Sequence, residues 1–302
     1  MKRISRRGMV SVAMLAMAVA SLSLAGSASA KLTGEFTRFA QCPYTTPGVE
    51  RCLHSVTTGG EVVMGSKTVP ITNPATLQGG YAEPAEEGPE AGFSSLVAAK
   101  NGQTLTKAPQ KIPGGLAGLV KCNEISNFIL RAACEFTFEN GLTGVNSTLE
   151  LAQGASAVKV NELALALGEG VTLKMPLKVK LENPLLGDNC YVGSSTNPIV
   201  WNLRADTTSP PPPNKPITGN GGQVTFIEGG RVLRLDGAVL VDNAWAAPAA
   251  KGCGGLFSFL LDPIVNASSG LPSPAGTNTA ILKNTIHTTT AFALNKNDAE
   301  NP

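Results

Sequence analysis

The sequence predicts a mainly-β protein, folded as an antiparallel two-sheet sandwich with one or two short helices and stapled by disulfide bonds. Three observations support this fold class. One twelve-residue stretch alternates between apolar and polar residues, many short apolar stretches are separated by Gly and Pro, and six cysteines follow a leader-like N-terminus. Short strands with frequent turns are typical of sandwiches.

The clearest strand is predicted over residues 171–182, VTLKMPLKVKLE. Every odd-numbered residue in it is apolar, whereas the even-numbered positions carry Thr, Lys, Pro and Glu. Because successive strand side chains point to opposite faces, this strand has one buried face and one lysine-rich face. Pro176 has no amide proton to donate, so we expect an edge strand or a bulge at this point.

Shorter patterns of the same kind fill most of the remaining chain, and Thr58-Gly59-Gly60 predicts a hairpin between two of them. Two segments have helical spacing instead, residues 123–133 and residues 256–261, the second being a helix or a buried turn. The further strands are predicted at residues 31–40, 52–57, 61–64, 68–71, 76–80, 93–99, 103–108, 135–138, 145–152, 158–165, 199–204, 223–228, 231–236, 238–241 and 280–294.

Residues 1–30 are interpreted as a cleaved signal peptide. Four basic residues precede an alanine-rich apolar run, and Ala28-Ser29-Ala30 has the small-residue pattern of a cleavage site. The paired arginines Arg6 and Arg7 resemble the twin-arginine export motif, so both the general secretory route and the twin-arginine route remain open. The protein is therefore expected to be secreted, outside the cell or in the cell envelope.

Residues 31–302 are predicted to form a single mainly-β domain. The alternative is two β subdomains that divide near residues 209–216, a proline run expected to adopt polyproline II geometry. A disulfide between Cys190 and Cys253 would straddle this run, which favours the single domain.

The composition excludes some partners. The leader contains four of the 24 basic residues and none of the 22 acidic ones, so the mature chain carries 20 basic residues and a net charge of −2. This near-neutral charge gives no reason to expect nucleic acid or an anionic membrane as a partner. After the leader, no apolar run is long enough to predict a transmembrane segment.

All six cysteines lie in the exported part, and an even number outside the cytoplasm predicts disulfides. Six cysteines allow fifteen pairings, so the connectivity stays open. Pairing of sequence neighbours suggests Cys42–Cys52, Cys122–Cys134 and Cys190–Cys253. Zinc ligation fits poorly, because the chain contains no C-x-x-C motif and only two histidines.

Motifs for catalysis or cofactor binding are scarce. The chain has no G-x-S-x-G elbow and no phosphate-binding loop, and we expect no cofactor and no metal. His54 and His287 lie within strand patterns, where packing is the favoured interpretation. Trp245, in a loop-like segment, is the best candidate for contact with a ligand, because exposed aromatic rings stack on sugars.

Paired carboxylates would be needed for glycoside cleavage. The acids considered for this role are Asp188, Asp206, Asp236, Asp242, Asp262, Glu135, Glu139 and Glu182. Their spacing selects no pair.

Five short motifs connect the mature chain with other proteins. They are FAQCP (39–43), LQGG (77–80), FENGLTG (138–144), SPPPPNKP (209–216) and VDN (241–243). On these residues the chain resembles a group of uncharacterised exported proteins of soil actinobacteria. The resemblance implies secretion and a shared fold, and it implies no activity or functional residue.

Two functions are therefore weighed. The favoured one is a non-enzymatic binding or structural role at or outside the cell surface, with a cell-wall component, an extracellular glycan or a protein as partner. The alternative is a secreted carbohydrate-active hydrolase that uses two carboxylates. Two acids about 5 to 9.5 Å apart in an aromatic-lined cleft would favour the hydrolase.

Overall fold

A closed ring of eight antiparallel strands forms the body of the protein. The computed structural model describes residues 31–115, 126–128, 131–132 and 144–301. The strands are β1 Arg51–Met64, β2 Lys67–Pro70, β3 Ala75–Tyr81, β4 Ser94–Val97, β5 Gln110–Lys111, β6 Asn146–Leu151, β7 Lys159–Val160, β8 Val171–Glu182, β9 Tyr191–Val192, β10 Ile199–Arg204, β11 Gln223–Ile227, β12 Val232–Asp242, β13 Ala250–Lys251 and β14 Thr279–Thr290. The helices are α1 Glu162–Leu167, α2 Ser258–Ser269 and α3 Ala291–Glu300, and 3-10 turns lie at Gly34–Phe39, Ala155–Ala157 and Gly255–Phe257.

The predicted sandwich is corrected to a barrel. The ring runs in the order β1, β3, β4, β7, β8, β10, β12 and β14, and β14 pairs again with β1. The pairing of β8 with β10, from Leu177 opposite Ile199 to Leu203 opposite Leu173, joins two strands that would be edges in a sandwich. Closure removes both edges, which satisfies backbone groups that an open sheet exposes.

The strand predicted over residues 171–182 is confirmed at both ends as β8. Leu173, Met175 and Leu177 are buried. The lysines of the opposite face lie in ion pairs, such as that of Lys178 Nζ with Glu150 Oε2 at 3.3 Å. The clearest strand predicted from the sequence is thus part of the barrel, and the mainly-β fold class is confirmed.

Pro176 is tolerated at a break in the neighbouring ladder. β7 pairs with residues 173–174 of β8 and β6 pairs with residues 177–182, so the partner strand is interrupted opposite Pro176. The carbonyl of Pro176 accepts the amide proton of Ala152 at 3.0 Å, which places this interruption on the side where Pro176 lacks a donor. β8 is nevertheless paired on its other side with β10, so it is not an edge strand.

Several local predictions are wrong. The predicted strand at residues 103–108 forms only an isolated bridge, between Leu105 and Leu77. The predicted strand at residues 31–40 contains the 3-10 turn Gly34–Phe39, and the second half of the predicted strand at 158–165 is α1. Residues 280–294 begin as β14 but continue as α3 after Thr290. The hairpin predicted at residues 58–60 is absent, because β1 continues through it as one bulged strand.

Gly60 makes this continuous strand possible. Its φ of +109° is a backbone conformation that favours glycine, and a Cβ added there would lie 1.9 Å from the carbonyl oxygen of Ile281. A side chain at this position would therefore force β1 and β14 apart.

Of the two predicted helices, residues 256–261 fall in the 3-10 turn Gly255–Phe257 and the start of α2, which confirms the helical interpretation. The predicted helix at residues 123–133 and the predicted strand at 135–138 lie largely or wholly outside the described residues.

The proline run packs onto the barrel loops, since Asn214 Nδ2 donates to the carbonyls of Asn243 and Asn278 at 2.8 and 2.9 Å.

Two of the predicted disulfides are present, Cys42–Cys52 and Cys190–Cys253. Cys122 and Cys134 lie outside the described residues, so their predicted bond stays a prediction. Each observed bond belongs to a different hydrophobic core: Cys190 and Cys253 to the larger one and Cys42 and Cys52 to the smaller.

The larger core, called here the barrel core, fills the lumen and continues beneath α2. The smaller one, the N-terminal core, lies between the barrel wall, the segment before β1 and α3. Cys52 belongs to the N-terminal core and the next residue, Leu53, to the barrel core, so the two cores lie on opposite faces of β1. The N-terminal core consists of Leu32, Phe36, Phe39, Cys42, Tyr44, Val49, Cys52, Val232, Ala291, Ala293 and Leu294.

Candidate functional site

A large concave feature of the described part of the chain is a cleft at the end of the barrel where β1 begins and β3 and β14 end. We call it the α1 cleft, and its volume is about 960 Å³. It is lined by Val49, Glu50, Arg51, Tyr81, Ala82, Glu83, Pro84, Gly92, Ser94, Asn161, Glu162, Leu163, Ala166, Thr290, Ala291, Phe292 and Asn295. The walls of the cleft are thus formed by strand ends, by the start of α1 and by the loop after β3, and they carry several charged side chains.

Helix α1 closes this end of the lumen and fixes one wall of the cleft. Its first turn is capped by Asn161, whose side chain accepts the amide proton of Ala164 at 2.9 Å. It ends at Gly168, which has the left-handed conformation typical of a helix C-terminus. Leu165 is buried against the barrel core, whereas Glu162 on the first turn faces the cleft.

Glu162 is held by groups from two barrel strands. Its Oε1 lies 2.8 Å from Nη1 of Arg51 on β1 and accepts a hydrogen bond from Oγ1 of Thr288 on β14 at 3.2 Å. The pKa of the neighbouring Tyr81 hydroxyl is raised well above its usual value, first by burial and then by the negative charge of Glu162. Tyr81 is therefore a neutral hydroxyl at every physiological pH.

Glu50 and Glu83 form a second acidic feature of the cleft, and the backbone positions Glu50 tightly. The amide of Glu50 donates to the carbonyl of Tyr81 at 3.1 Å, and the carbonyl of Glu50 accepts from Ala291 at 2.7 Å. Loss of hydration raises the pKa of the Glu50 carboxyl, and so do its hydrogen bond to Glu83 and the negative charge of Glu83. The two carboxyl groups thus lie close enough to share a proton.

Apolar side chains stand beside these acids. Phe292, in the first turn of α3, is 77 % exposed, and Leu163 of α1 is 69 % exposed. Both line the cleft. Large apolar groups that are exposed together on a protein surface are typical of contact sites. The α1 cleft therefore combines negative charge with a hydrophobic contact surface.

Trp245, the ligand contact proposed from the sequence, lies in the barrel core. It is 4 % exposed, and its indole packs edge-on against Trp201 with the ring centroids 5.9 Å apart. Its Nε1 donates to the carbonyl of Asp242 at 3.2 Å. This side chain offers no ring face to a surface ligand.

Several of the acids considered from the sequence have structural roles. Asp206 pairs with Arg204 and accepts from the amide of Gly170 at 2.8 Å. Asp262 accepts from the amides of Gly252 and Cys253, next to the second disulfide. None of the sequence-selected acids in the described ranges lines the α1 cleft, and Glu135 and Glu139 fall outside those ranges.

The two histidines form a cross-strand pair on the outer wall of the barrel. His54 of β1 lies opposite His287 of β14, with ring centroids 6.3 Å apart. The pKa of His287 is lowered to about 4, first by burial and then by the positive charges of Arg38 and His54. Within the described residues no group of three or more His, Cys, Asp or Glu side chains is arranged to hold a metal ion.

Sequence reasoning missed the acids of the cleft. Glu50, Glu83 and Glu162 are separated by dozens of residues and follow no spacing rule, because they meet only when three chain segments reach the same barrel end. The one local sign was the cap Asn161 followed by Glu162, which marks a helix start.

No protein-family model, no curated protein and no solved structure matches this chain. The interpretation of the cleft therefore rests on its own geometry. Among the residues that the structure describes, no helix is long and apolar enough to cross a membrane.

Proposed function

We propose that the protein is an exported, non-enzymatic binding protein that takes its ligand in the α1 cleft, at or beyond the cell surface. The leader-like N-terminus and the disulfides support an oxidising compartment outside the cytoplasm. N-terminal sequencing of the protein recovered from culture medium or envelope tests the export, and we expect Lys31 as the first residue.

The observation that carries the binding proposal is the Glu50–Glu83 carboxyl pair. Two carboxyl groups close together repel each other when both are ionised. The pKa of Glu50 is raised first by loss of hydration and then by its hydrogen bond to Glu83 and by this repulsion. A cationic group placed between them would remove the repulsion and gain charge-assisted hydrogen bonds. The acid pair thus favours a ligand that carries an ammonium or guanidinium group.

The exposed side chains of Phe292 and Leu163 extend this description of the ligand. An apolar portion next to the cationic group would cover both and gain hydrophobic burial. A ring such as that of Phe292 also attracts a cation over its face. A basic peptide segment with an aromatic or aliphatic residue has both properties and fits a cleft of about 960 Å³.

The same carboxyl pair argues against the glycoside hydrolase. Retaining enzymes hold their two carboxyl groups about 5 Å apart and inverting enzymes hold them farther apart, to admit the sugar or a water. A hydrogen bond to Glu83 contributes to the raised pKa of Glu50, which indicates that these two carboxyl groups approach each other more closely than that. Arg51 and Thr288 already bind Glu162, so this carboxyl group is fixed by protein groups and is not free to act on a substrate.

Isothermal titration calorimetry with a lysine–phenylalanine–lysine tripeptide tests the proposal, with glutamine–phenylalanine–glutamine as the uncharged counterpart. We expect the charged tripeptide to bind the wild type and to bind Glu83→Gln about tenfold more weakly, since one charge-assisted contact is lost. Glu87→Gln is the matched control, because it removes an acid from the same loop but outside the cleft lining.

Equal affinities of the wild type and Glu83→Gln, or no binding of either tripeptide, would overturn the assignment to this cleft. Incubation with chito- and xylo-oligosaccharides separates the alternative function, since release of new reducing ends that depends on Glu50 or Glu162 would establish the hydrolase instead.

A further inference from the structure

The barrel lumen contains a cavity that is separate from the α1 cleft. Its volume is about 60 Å³, and no charged side chain stands among its lining residues. It is lined by Ser55, Thr57, Ile71, Ala75, Leu77, Leu105, Thr106, Ala108, Gln110, Leu149, Leu173, Met175, Leu177, Trp201, Leu203, Leu240, Leu282 and Asn284. Because a water needs about 10 to 15 Å³ of such space, the cavity exceeds the size of one water several-fold.

One polar atom at this cavity lacks a partner. Trp201 is 1 % exposed, and its indole Nε1 makes no hydrogen bond in the described structure. The neighbouring Trp245 has a partner, because its Nε1 donates to the backbone carbonyl of Asp242. A buried donor without an acceptor is destabilising by about 1 to 3 kcal/mol. A buried and unpaired indole N–H beside a cavity therefore suggests that the cavity binds a molecule with a hydrogen-bond acceptor.

Three other polar side chains of the cavity make hydrogen bonds within the protein. Thr57 Oγ1 donates to Asn284 Oδ1 at 2.6 Å, and Asn284 Nδ2 donates to the carbonyl of Leu282 at 2.9 Å. Gln110 Nε2 donates to the carbonyls of Asn73 and Ala108. The group without a partner is the N–H donor of Trp201. A ligand would complete its hydrogen bonding with an acceptor such as a neutral oxygen.

A second cavity of about 60 Å³ adjoins the first and shares Ile71, Gln110 and Leu149 with it. Its other lining residues are mainly aliphatic, among them Val69, Val179 and Leu181. Together the two cavities can accept a short hydrocarbon chain, whose burial is favourable by about 0.8 kcal/mol per methylene.

We propose that the lumen is a binding site for a small neutral molecule with one hydrogen-bond-accepting oxygen and a short aliphatic chain, of the chemical class of the ketones. The oxygen accepts the Nε1 proton of Trp201, and the chain extends along the aliphatic side chains toward the second cavity. A charged ligand is disfavoured, because the first cavity offers no counter-charge.

The test uses 2-hexanone as the probe and hexane, which has no acceptor, as its counterpart. Each tryptophan gives its own indole N–H signal in a ¹H–¹⁵N spectrum of the whole protein, so the two donors are observed separately. We expect 2-hexanone to shift the Trp201 signal downfield in a saturable way, to leave the Trp245 signal unshifted or nearly so, and to bind more tightly than hexane.

Trp201→Phe removes the donor and keeps an aromatic ring, and we expect it to bind 2-hexanone about fivefold more weakly while its affinity for hexane stays the same. Trp245→Phe is the matched control with unchanged 2-hexanone affinity. If Trp201→Phe does not fold, the wild-type spectra decide alone. An unshifted Trp201 signal, equal binding of 2-hexanone and hexane, or contact of the Trp201 N–H with trapped water in place of the ketone would overturn the proposal.

Discussion

The barrel core and the N-terminal core are built by different means within one chain. The barrel core is assembled from residues that alternate along long strands, and each strand contributes one face. The N-terminal core gathers two phenylalanines of a 3-10 turn, a disulfide and one face of α3 against the outer wall. The same β-strand wall therefore supports an inner core that is continuous and an outer core that depends on a short segment being held in place.

The largest expected effect comes from truncation inside the barrel core. Leu177 is completely buried, so Leu177→Ala should lower the free energy of unfolding by about 3 to 5 kcal/mol through lost burial and a new cavity. Val200→Ala, on the exposed face of the neighbouring strand, should change it by less than about 0.5 kcal/mol. Urea unfolding of the two variants measures both values, and similar losses would mean that the lumen is not a packed core.

The two observed disulfides compare the cores directly, since each contains one. Cys190–Cys253 closes 63 residues and Cys42–Cys52 closes 10. The chain-entropy model gives losses of about 4 and about 3 kcal/mol when each pair is replaced by serine. Urea unfolding measures these losses. In limited proteolysis of the Cys42/Cys52 variant, the segment before β1 should be cleaved before any other site. Early cleavage in both variants at the same sites would contradict two separate cores.

Acid should weaken the outer wall of the barrel, where His287 of β14 lies between His54 of β1 and Arg234 of β12. Near His287 lie Arg38, His54, Glu35 and Arg234, and its folded pKa is about 4 against an ordinary value of 6.5. The unfolded chain therefore takes up a proton that the folded chain refuses between pH 6.5 and 4. Stability is fully present above pH 6.5 and falls as the pH is lowered through this window, by at most about 3 kcal/mol from this residue.

The difference between the wild type and His287→Gln isolates this contribution, because the effects of the carboxylates cancel in the comparison. Unfolding free energies measured at pH 7 and pH 4.5 should differ less in His287→Gln than in the wild type. An identical pH dependence of the two proteins would remove the buried histidine as the cause.

The smallest effect is expected outside both cores, at the start of α2. Leu256, Phe257, Phe259 and Leu260 are exposed there and belong to neither core. Leu256→Ser should leave the free energy of unfolding within about 0.5 kcal/mol of the wild-type value and reduce the fluorescence of the dye ANS bound to the native protein. A loss of several kcal/mol would show that this surface is part of a core.

The barrel core could be predicted in part because its pattern is local. Alternation placed β8 correctly, and neighbouring cysteines suggested both observed bonds. Alternation reports only that one face is buried, and a strand in a sandwich and a strand in a barrel share that property. Closure depends on the pairing of β8 with β10, which lie on opposite sides of a long loop and were not linked by any pattern.

The N-terminal core and the α1 cleft were missed for a related reason. Phe36 and Phe39 are three residues apart, a spacing that fits the observed 3-10 turn and not the strand predicted over residues 31–40. Glu50 and Glu83 become neighbours only through the backbone bonds that tie Glu50 to Tyr81 and Ala291. Residues joined by such long-range contacts leave no periodic pattern in the sequence.

Closure of the barrel is the central claim, and a cysteine cross-link between β8 and β10 tests it most directly. Lys174 lies opposite Asn202, and the amide of Asn202 donates to Asp242 on the other side, so this is a non-hydrogen-bonded pair with close side chains. We predict that Lys174→Cys/Asn202→Cys forms a disulfide that peptide mapping of the folded protein, purified under oxidising conditions, detects beside the native bonds. Two free thiols at these positions in the folded protein would contradict the closed barrel.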